Sequence, residues 1–449
     1  MKILFIIPEY LSGRSFLQPP IDILLVDKVL KNRGWKSYLI DNRIEKLPLE
    51  RLVKRIKRIN PNILIVTTSP YDVSQNYFVD FRIYVVEKTI FYLKQNFPTI
   101  LIIVTGPHGS IRPDILLKDI KYSADIIVQW EYDVTLPQLL DTLKLYNFNI
   151  NNSIEKLKKI PNLIIITRKN FLKTGYSEET AHPTNYLIVP RLELIKKYKN
   201  DYFGDRYENN EYKKVNNFGI ILFQRGCPFK CTFCFKFLGD KCRFNNREDD
   251  FLKAISVWQN FGCRDLFVAD YVFGLSKEYL KLFVKISKEF PDIRFYIQTR
   301  ADLIDNDTIN FYKKINVGFI WLGIESFSNT VQKVIKKYDN INKIFKAIKI
   351  LKDNKLNYGG FIQFGLPGET IRSINKNLYY INKLKIPYTP SVILHTPLYG
   401  TKAYLWAKKQ YPFIGKSWSD ISLIRGLVKN KISPSELLEL VRLLRKSRK

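Results

Sequence analysis

Short apolar runs, each followed by an amphipathic stretch, recur along most of this sequence, and that alternation limits its fold more than any other feature. Ile3–Ile7, Ser37–Ile40, Ile63–Thr68, Ile100–Thr105 and Asp125–Val128 read as buried parallel strands, being short and largely apolar. Helix-like segments separate them, such as Ile21–Arg33, which stops at Gly34, a residue suited to a helix C-terminus. Five strands so spaced predict a doubly wound sheet over 1–145, with ligands at the carboxyl ends of its strands. The stretch 146–216 has Asn and Lys runs, then Pro161, Pro183 and Pro190, and reads as a connector with a small hairpin near Leu163–Thr167. Alternation resumes over 217–405 with Gly219–Phe223, Asp265–Val268, Phe295–Gln298, Phe319–Leu322, Gly360–Phe364 and Val392–His395. Six such units predict a partial (β/α)6 barrel whose chemistry gathers at the C-terminal ends of its strands. A helical extension, 406–449, ends in an amphipathic helix at Pro434–Leu444. A chain of 449 residues is long for one core, which agrees with two domains.

No apolar stretch reaches the ~18 to 20 residues needed to cross a bilayer, and Met1–Ile7 runs into Pro8 and Glu9 as a first strand does. A cytoplasmic protein is expected. The 73 Lys and Arg outnumber the 42 Asp and Glu, for a formal charge of +31. Such a surface attracts nucleic acid, anionic membrane or an acidic protein. The basic residues recur along helices such as Glu50–Asn60 and Gln332–Lys355 rather than in one arm, which favours solvated helix faces.

Three of the five cysteines fall in Arg225-Gly226-Cys227-Pro228-Phe229-Lys230-Cys231-Thr232-Phe233-Cys234, directly after the first barrel strand. Clustering of this kind indicates metal binding rather than disulfides. Thiolates of Cys227, Cys231 and Cys234 on one loop can hold three irons of a cubane and leave the fourth open to a small molecule. A structural zinc site wants four ligands, and Cys242 lies eight residues further on, an unusual spacing. A zinc-stabilised basic binding module without catalysis stays as the alternative outside enzymology.

This loop resembles that of the radical S-adenosylmethionine (SAM) enzymes. The resemblance implies a [4Fe–4S] cluster whose open iron chelates SAM, and reductive cleavage to a 5′-deoxyadenosyl radical. It implies further site residues. Phe233 matches the aromatic position beside the adenine. Gln298-Thr299-Arg300 resembles the segment that contacts the SAM ribose and carboxylate. Gly318–Glu325 resembles the glycine-spaced fourth-strand motif, with Gly323 and Glu325 bordering SAM. Gly365-Leu366-Pro367-Gly368-Glu369-Thr370 is similar to the loop after strand five, and Pro397-Leu398-Tyr399-Gly400-Thr401 to that after strand six. Val268-Ala269-Asp270-Tyr271 departs from the family by having a single acid.

The first ~145 residues resemble the flavodoxin- or Rossmann-like domain of the cobalamin-binding radical SAM subfamily. Pro19-Pro20 with Gly34-Trp35, Thr105-Gly106-Pro107-His108, and Glu131 followed by Thr135–Leu140 carry the likeness. Pro8-x-Tyr10-x-x-Gly13 stands where other cobalamin proteins have Asp-x-His-x-x-Gly, so no histidine is offered to cobalt there. The resemblance thus implies cobalamin near Tyr10, Gly106, His108 and Glu131, and a C-methyltransferase acting on an unactivated carbon. A radical cyclase or another carbon–carbon bond-forming enzyme, with or without cobalamin, is the alternative. No cysteine precedes Cys227, unlike methylthiotransferases, which carry a second cluster. An acidic electron donor such as ferredoxin or flavodoxin is expected. Peptide, lipid and RNA substrates stay open, as does peripheral membrane contact.

Overall fold

The computed structural model describes residues 1–9, 17–70, 83–167, 170–208, 211–244, 246–386, 392–412, 414–418, 420 and 439–440, without the side chains of 205–208 and 211–214. Strands β1 (Lys2–Ile7), β2 (Lys36–Asp41), β3 (Ile63–Thr67), β4 (Leu101–Thr105) and β5 (Ile126–Val128) pair in parallel, in the order β2-β1-β3-β4-β5. This is the flavodoxin-like winding, in which strand order reverses between β1 and β3. Every residue of β3 and β4 is buried, as it must be in a sheet covered by helices on both faces. The hairpin near Leu163 does not stand apart. Its strands β6 (Leu163–Ile166) and β7 (Phe171–Lys173) extend the same sheet antiparallel, Ile164 opposite Ile127 and Ile165 opposite Ile126. Four consecutive buried aliphatic residues in β6 need such a neighbour. The outer strand β7 is mostly exposed and ends on Lys173, which blunts the edge.

A two-stranded ribbon, β8 (Phe203–Glu208) with β9 (Glu211–Asn216), precedes the second sheet. Next come β10 (Gly219–Ile221), the short antiparallel pair β11 (Gln224–Arg225) and β12 (Arg243–Phe244), and then β13 (Asp265–Val268), β14 (Arg294–Arg300), β15 (Val317–Glu325), β16 (Tyr358–Phe364) and β17 (Val392–Leu394). The six strands β10, β13, β14, β15, β16 and β17 pair in parallel and in sequence order, giving a curled, open half-barrel with β10 and β17 at its margins. The first of them is shorter than its apolar run, Gly219–Phe223. The cause is Asp270, whose Oδ1 accepts the backbone N–H groups of Phe223 and Gln224 at 3.0 and 2.9 Å and draws the chain off the ladder. Helices restart close behind the strand ends on capping side chains: Ser276, Asp305, Ser328, Thr370 and Thr401 each accept a backbone N–H of the first turn.

The two sheets share their packing. One apolar cluster joins Leu4, Ile6, Val66 and Val104 of the first sheet to Phe233, Val331, Ile335, Leu366, Tyr399 and Ala403 around the half-barrel. Residues 414–418 return to the first sheet, where Trp418 meets His108 edge-to-face at 4.6 Å and Arg112 donates to the Gly415 carbonyl at 3.0 Å. No helix among the described residues is long and apolar enough to cross a membrane. Tyr10 and Gly13 lie outside the described residues, as does the Pro434–Leu444 helix expected from the sequence except for Glu439 and Leu440, which are helical.

Candidate active site

The cysteine loop begins at Gly226, whose φ of +82° leaves the left-handed region open to glycine. A Cβ there would sit 1.9 Å from the Lys241 carbonyl oxygen. The loop is anchored on several sides. Cys227 N–H donates to Gly239, Thr232 N–H to Ile335, and Ala403 N–H to the Thr232 carbonyl. Its tip, Pro228 and Lys230, is exposed, while Thr232 and Phe233 are buried. Cys231 and Cys234 share a hydrogen bond that favours thiolate at Cys231 and pushes the Cys234 thiol up; burial pushes Cys227 up. The nearby Lys337 and Arg300 charges add to the pull toward thiolate at Cys231. No three His, Cys, Asp or Glu side chains among the described residues are set to hold a single metal ion. Cubane cysteines sit on different irons and need not converge on one point, so three thiols on one anchored loop, facing two cations, fit a cluster.

Arg300, at the end of β14, is turned onto this loop. Its guanidinium lies 3.7 Å from the Phe229 ring centroid, donates toward Cys231 Sγ at 3.6 Å, and is held by Asp302 and the Lys337 carbonyl. Gln298, by contrast, is spent on structure: its Nε2 donates to the Asp270 carbonyl at 2.9 Å. Glu325 closes β15 at φ +64°, after a register shift against β16 between Gly323 and Glu325. Such irregularities re-aim a side chain beside a site. Its Oε1 takes Lys337 Nζ at 2.6 Å and its Oε2 takes Gln363 Nε2 at 2.6 Å. Gly323 lies directly beneath this pair, and a Cβ there would come within 2.3 Å of Lys337 Nζ and displace the ammonium. Burial opposes the Lys337 ammonium, but Glu325 and the cysteine sulfurs outweigh it and hold the pKa above its ordinary value. The chain of contacts ends at His395, whose Nδ1 lies 3.1 Å from Gln363 Oε1.

Gly365 opens the loop after β16, and its N–H donates to the buried Glu369 carboxyl. The other Glu369 oxygen accepts Asn377 Nδ2 at 3.1 Å, and Asn377 Oδ1 accepts the Phe327 N–H at 2.7 Å, so the loops after β15 and β16 are one unit. Burial pushes the Glu369 carboxyl up to about 8. Asp270 is likewise buried and pushed up to about 7.

The first-sheet residues are placed differently. Glu131 is not presented to a ligand. It is fully enclosed and takes Arg225 Nη1 at 2.8 Å, Arg243 Nη2 at 2.6 Å and His182 Nδ1 at 2.9 Å. Burial opposes its charge, yet these partners keep its pKa below normal. Arg225 also pairs with Asp133 at 2.8 Å, so this cluster struts the loop after β5 against the entrance of the cysteine loop. Gly106 begins the turn after β4. His108, two residues on, is wholly buried, with Nδ1 2.9 Å from Thr68 Oγ1 and its ring against Trp418. At the carboxyl end of β3, the Thr67 hydroxyl is buried with no hydrogen-bond partner among the described residues.

Sequence reasoning missed Lys337, Gln363, His395, Glu369 and the Arg225–Arg243 pair. Gln363 and His395 stand at the carboxyl ends of strands read correctly, and that position was the available signal. Lys337 and the two arginines carry no local mark.

Residues 221–378 match the radical SAM superfamily. The whole chain is 23% identical to an uncharacterised methyltransferase of Pyrococcus horikoshii, 91% of which it covers. It is 22% identical, over 84% of its own length and 59% of the other's, to the anaerobic magnesium-protoporphyrin IX monomethyl ester cyclase of Cereibacter sphaeroides. The radical SAM methyltransferase TsrM from Kitasatospora setae, solved with cobalamin and a [4Fe–4S] cluster, has the same fold at TM-score 0.68 and 15% identity, over 91% of this chain and 75% of that one. With its cysteine loop leading off a six-stranded half-barrel, this chain carries a radical SAM domain and is a radical SAM enzyme.

Proposed function

We propose that this enzyme is a cobalamin-dependent C-methyltransferase acting on an unactivated carbon. The observation that carries the reading is the pairing of a β2-β1-β3-β4-β5 sheet with the cysteine-bearing half-barrel across one apolar cluster. We assign 1–145 to cobalamin, 217–405 to cluster and SAM, 146–216 to the connection, and 406–449 to a C-terminal extension, with residues 163–173 completing the first sheet. Cys227, Cys231 and Cys234 hold the cluster. Gly323, Glu325, Gly365 and Phe233 border SAM, and the Lys337 and Arg300 charges suit its carboxylate. Thr67, Gly106 and the reversal between β1 and β3 give cobalamin its place; the chemistry of the Thr67 hydroxyl suits a polar group of that cofactor. When bound, the cluster supplies the electron that cleaves SAM, and cobalamin carries the methyl group. No histidine faces cobalt in this reading, since Tyr10 replaces it and His108 is packed against Trp418.

The test is an anaerobic reaction with methyl-labelled SAM and cell extract, read by mass spectrometry. Label in a product fixes methylation and identifies the acceptor. Bound cobalamin should give a base-off spectrum without nitrogen superhyperfine splitting in its cob(II) form. Protein with a full cluster and no affinity for cobalamin would favour the second reading, radical cyclisation, which the likeness to the protoporphyrin ester cyclase supports.

A further inference from the structure

The carboxyl end of β17 leads into a histidine with one nitrogen to spare. His395 is 2% exposed, and its ring stands perpendicular to Phe233 at 6.3 Å between centroids, on the side of the strand that meets the cysteine loop. Its tautomer is fixed from a distance. The Lys337 ammonium pairs with the Glu325 carboxylate at 2.6 Å, and a carboxylate only accepts hydrogen bonds. Gln363 must therefore turn its amide NH2 to Glu325, 2.6 Å away, and its carbonyl oxygen to His395. Nδ1 of His395 then carries the ring proton. Nε2 is left as a lone pair, sealed from water, with no hydrogen-bond partner among the described residues. Burial pushes the ring's pKa down to about 3, so no second proton arrives at ordinary pH.

A buried acceptor with no donor costs stability, and a phenylalanine would fill the place without that cost. Four side chains in series fix the direction of one lone pair at the barrel mouth. We propose that His395 Nε2 is a positioning acceptor for the molecule bound there, taking a hydrogen bond from a neutral N–H or O–H donor. The donor comes either from SAM, through its adenine amine or a ribose hydroxyl, or from the substrate. A site built on such an acceptor discriminates strongly against analogues that lack the donor. The inference rests on the radical SAM reading of this mouth.

The chain has three histidines, His108, His182 and His395, so imidazole nitrogen resonances of histidine-labelled holoenzyme can be assigned by substitution. The expected result is a neutral Nδ1–H ring for His395, unchanged from pH 5 to 8. SAM affinity, read from the reduced cluster's electron paramagnetic resonance, should fall about tenfold in His395→Phe. In His395→Gln, whose carbonyl reaches the position of Nε2, affinity should stay within about threefold of the parent. Iron content should be unchanged in both. If affinity is unmoved while labelled-methyl incorporation from extract falls in His395→Phe and returns in His395→Gln, the donor belongs to the substrate. A proton on Nε2, or parental affinity and turnover in both variants, overturns the proposal. A parent enzyme with a full cluster that binds no SAM overturns the functional reading as well, and the parent alone tells those failures apart.

Discussion

The carboxyl ends of the two sheets are built on different principles. At the half-barrel mouth, Lys337, Glu325, Gln363 and His395 form a hydrogen-bonded series, and Arg300 grips the cysteine loop through Phe229. At the edge of the first sheet, the turn after β4 is held by the packing of His108 against Trp418, by His108 on Thr68, and by bonds that engage backbone groups, Gln129 to the Gly109 carbonyl and Trp130 N–H to Ser110. The first arrangement fixes directions and depends on particular atoms. The second holds a shape, through an aromatic contact and bonds that mostly engage a backbone group. A mouth that must orient a reactive sulfonium needs the former; a sheet edge that receives a large cofactor by its outline can use the latter.

The comparison breaks most sharply at the cysteines. Cys231→Ala should abolish SAM cleavage and empty the cluster, leaving the first sheet's cobalamin affinity intact. Cys242→Ala and Cys263→Ala should retain about four irons per chain. Loss of iron in Cys242→Ala equal to that in Cys231→Ala, measured by metal analysis, would mean that a fourth thiolate completes the site.

Glu131 joins the two regions, and its removal tests whether they are one cooperative unit. Glu131→Ala leaves Arg225 and Arg243 buried beside an absent carboxylate, which should cost about 3–5 kcal/mol in denaturant unfolding. Two separate transitions, one unshifted, would show that the sheets unfold independently.

A smaller effect distinguishes the half-barrel by pH. Burial raises the Glu369 carboxyl from its ordinary 4.5 to about 8, so folding favours its protonated form. The stability it confers is full below about pH 4.5 and is lost as pH rises toward 8. Glu369→Gln should remove that slope, on the order of 1–3 kcal/mol between pH 5 and 8. An unchanged slope in the variant would assign the dependence to Asp270, which is raised by burial in the same sense.

The smallest expected effect lies on the surface of both regions. With a charge of +31, reduction by an acidic flavodoxin should slow by a few-fold as salt passes ~0.1 M. A rate indifferent to salt would leave the basic surface to substrate or composition.

What the sequence discloses follows the same division. The strands were legible to within a few residues, because two-sided burial imposes unbroken apolar runs such as Ile63–Thr67. The cysteine loop was legible because its ligands are local. The antiparallel attachment of Leu163–Ile166 was not, since it depends on contacts with Ile126–Val128 some forty positions earlier. Nor were the destinations of Glu131 and Arg300. Each was read as a contact for a cofactor; Glu131 is held by Arg225 and Arg243 from another loop, while Arg300 is held beside the cysteine loop by its near neighbour Asp302 and by the distant Lys337 carbonyl. Nothing within a few residues of Lys337 announces that its ammonium will lie over Gly323.

The return of residues 414–418 to the first sheet has a consequence for synthesis. Arg112 meets the Gly415 carbonyl across 303 positions, so the turn holding His108 waits until the entire half-barrel has been made. At ~5–20 residues per second, a ribosome needs roughly 15–60 s to span that interval. Throughout it the nascent first sheet exposes the apolar face that Trp418 and Ile414 later cover. Such a long-range closure raises contact order and slows folding. A molecule received at that edge, as the cobalamin reading proposes, would meet the site open during synthesis and closed only once residues 414–418 have returned.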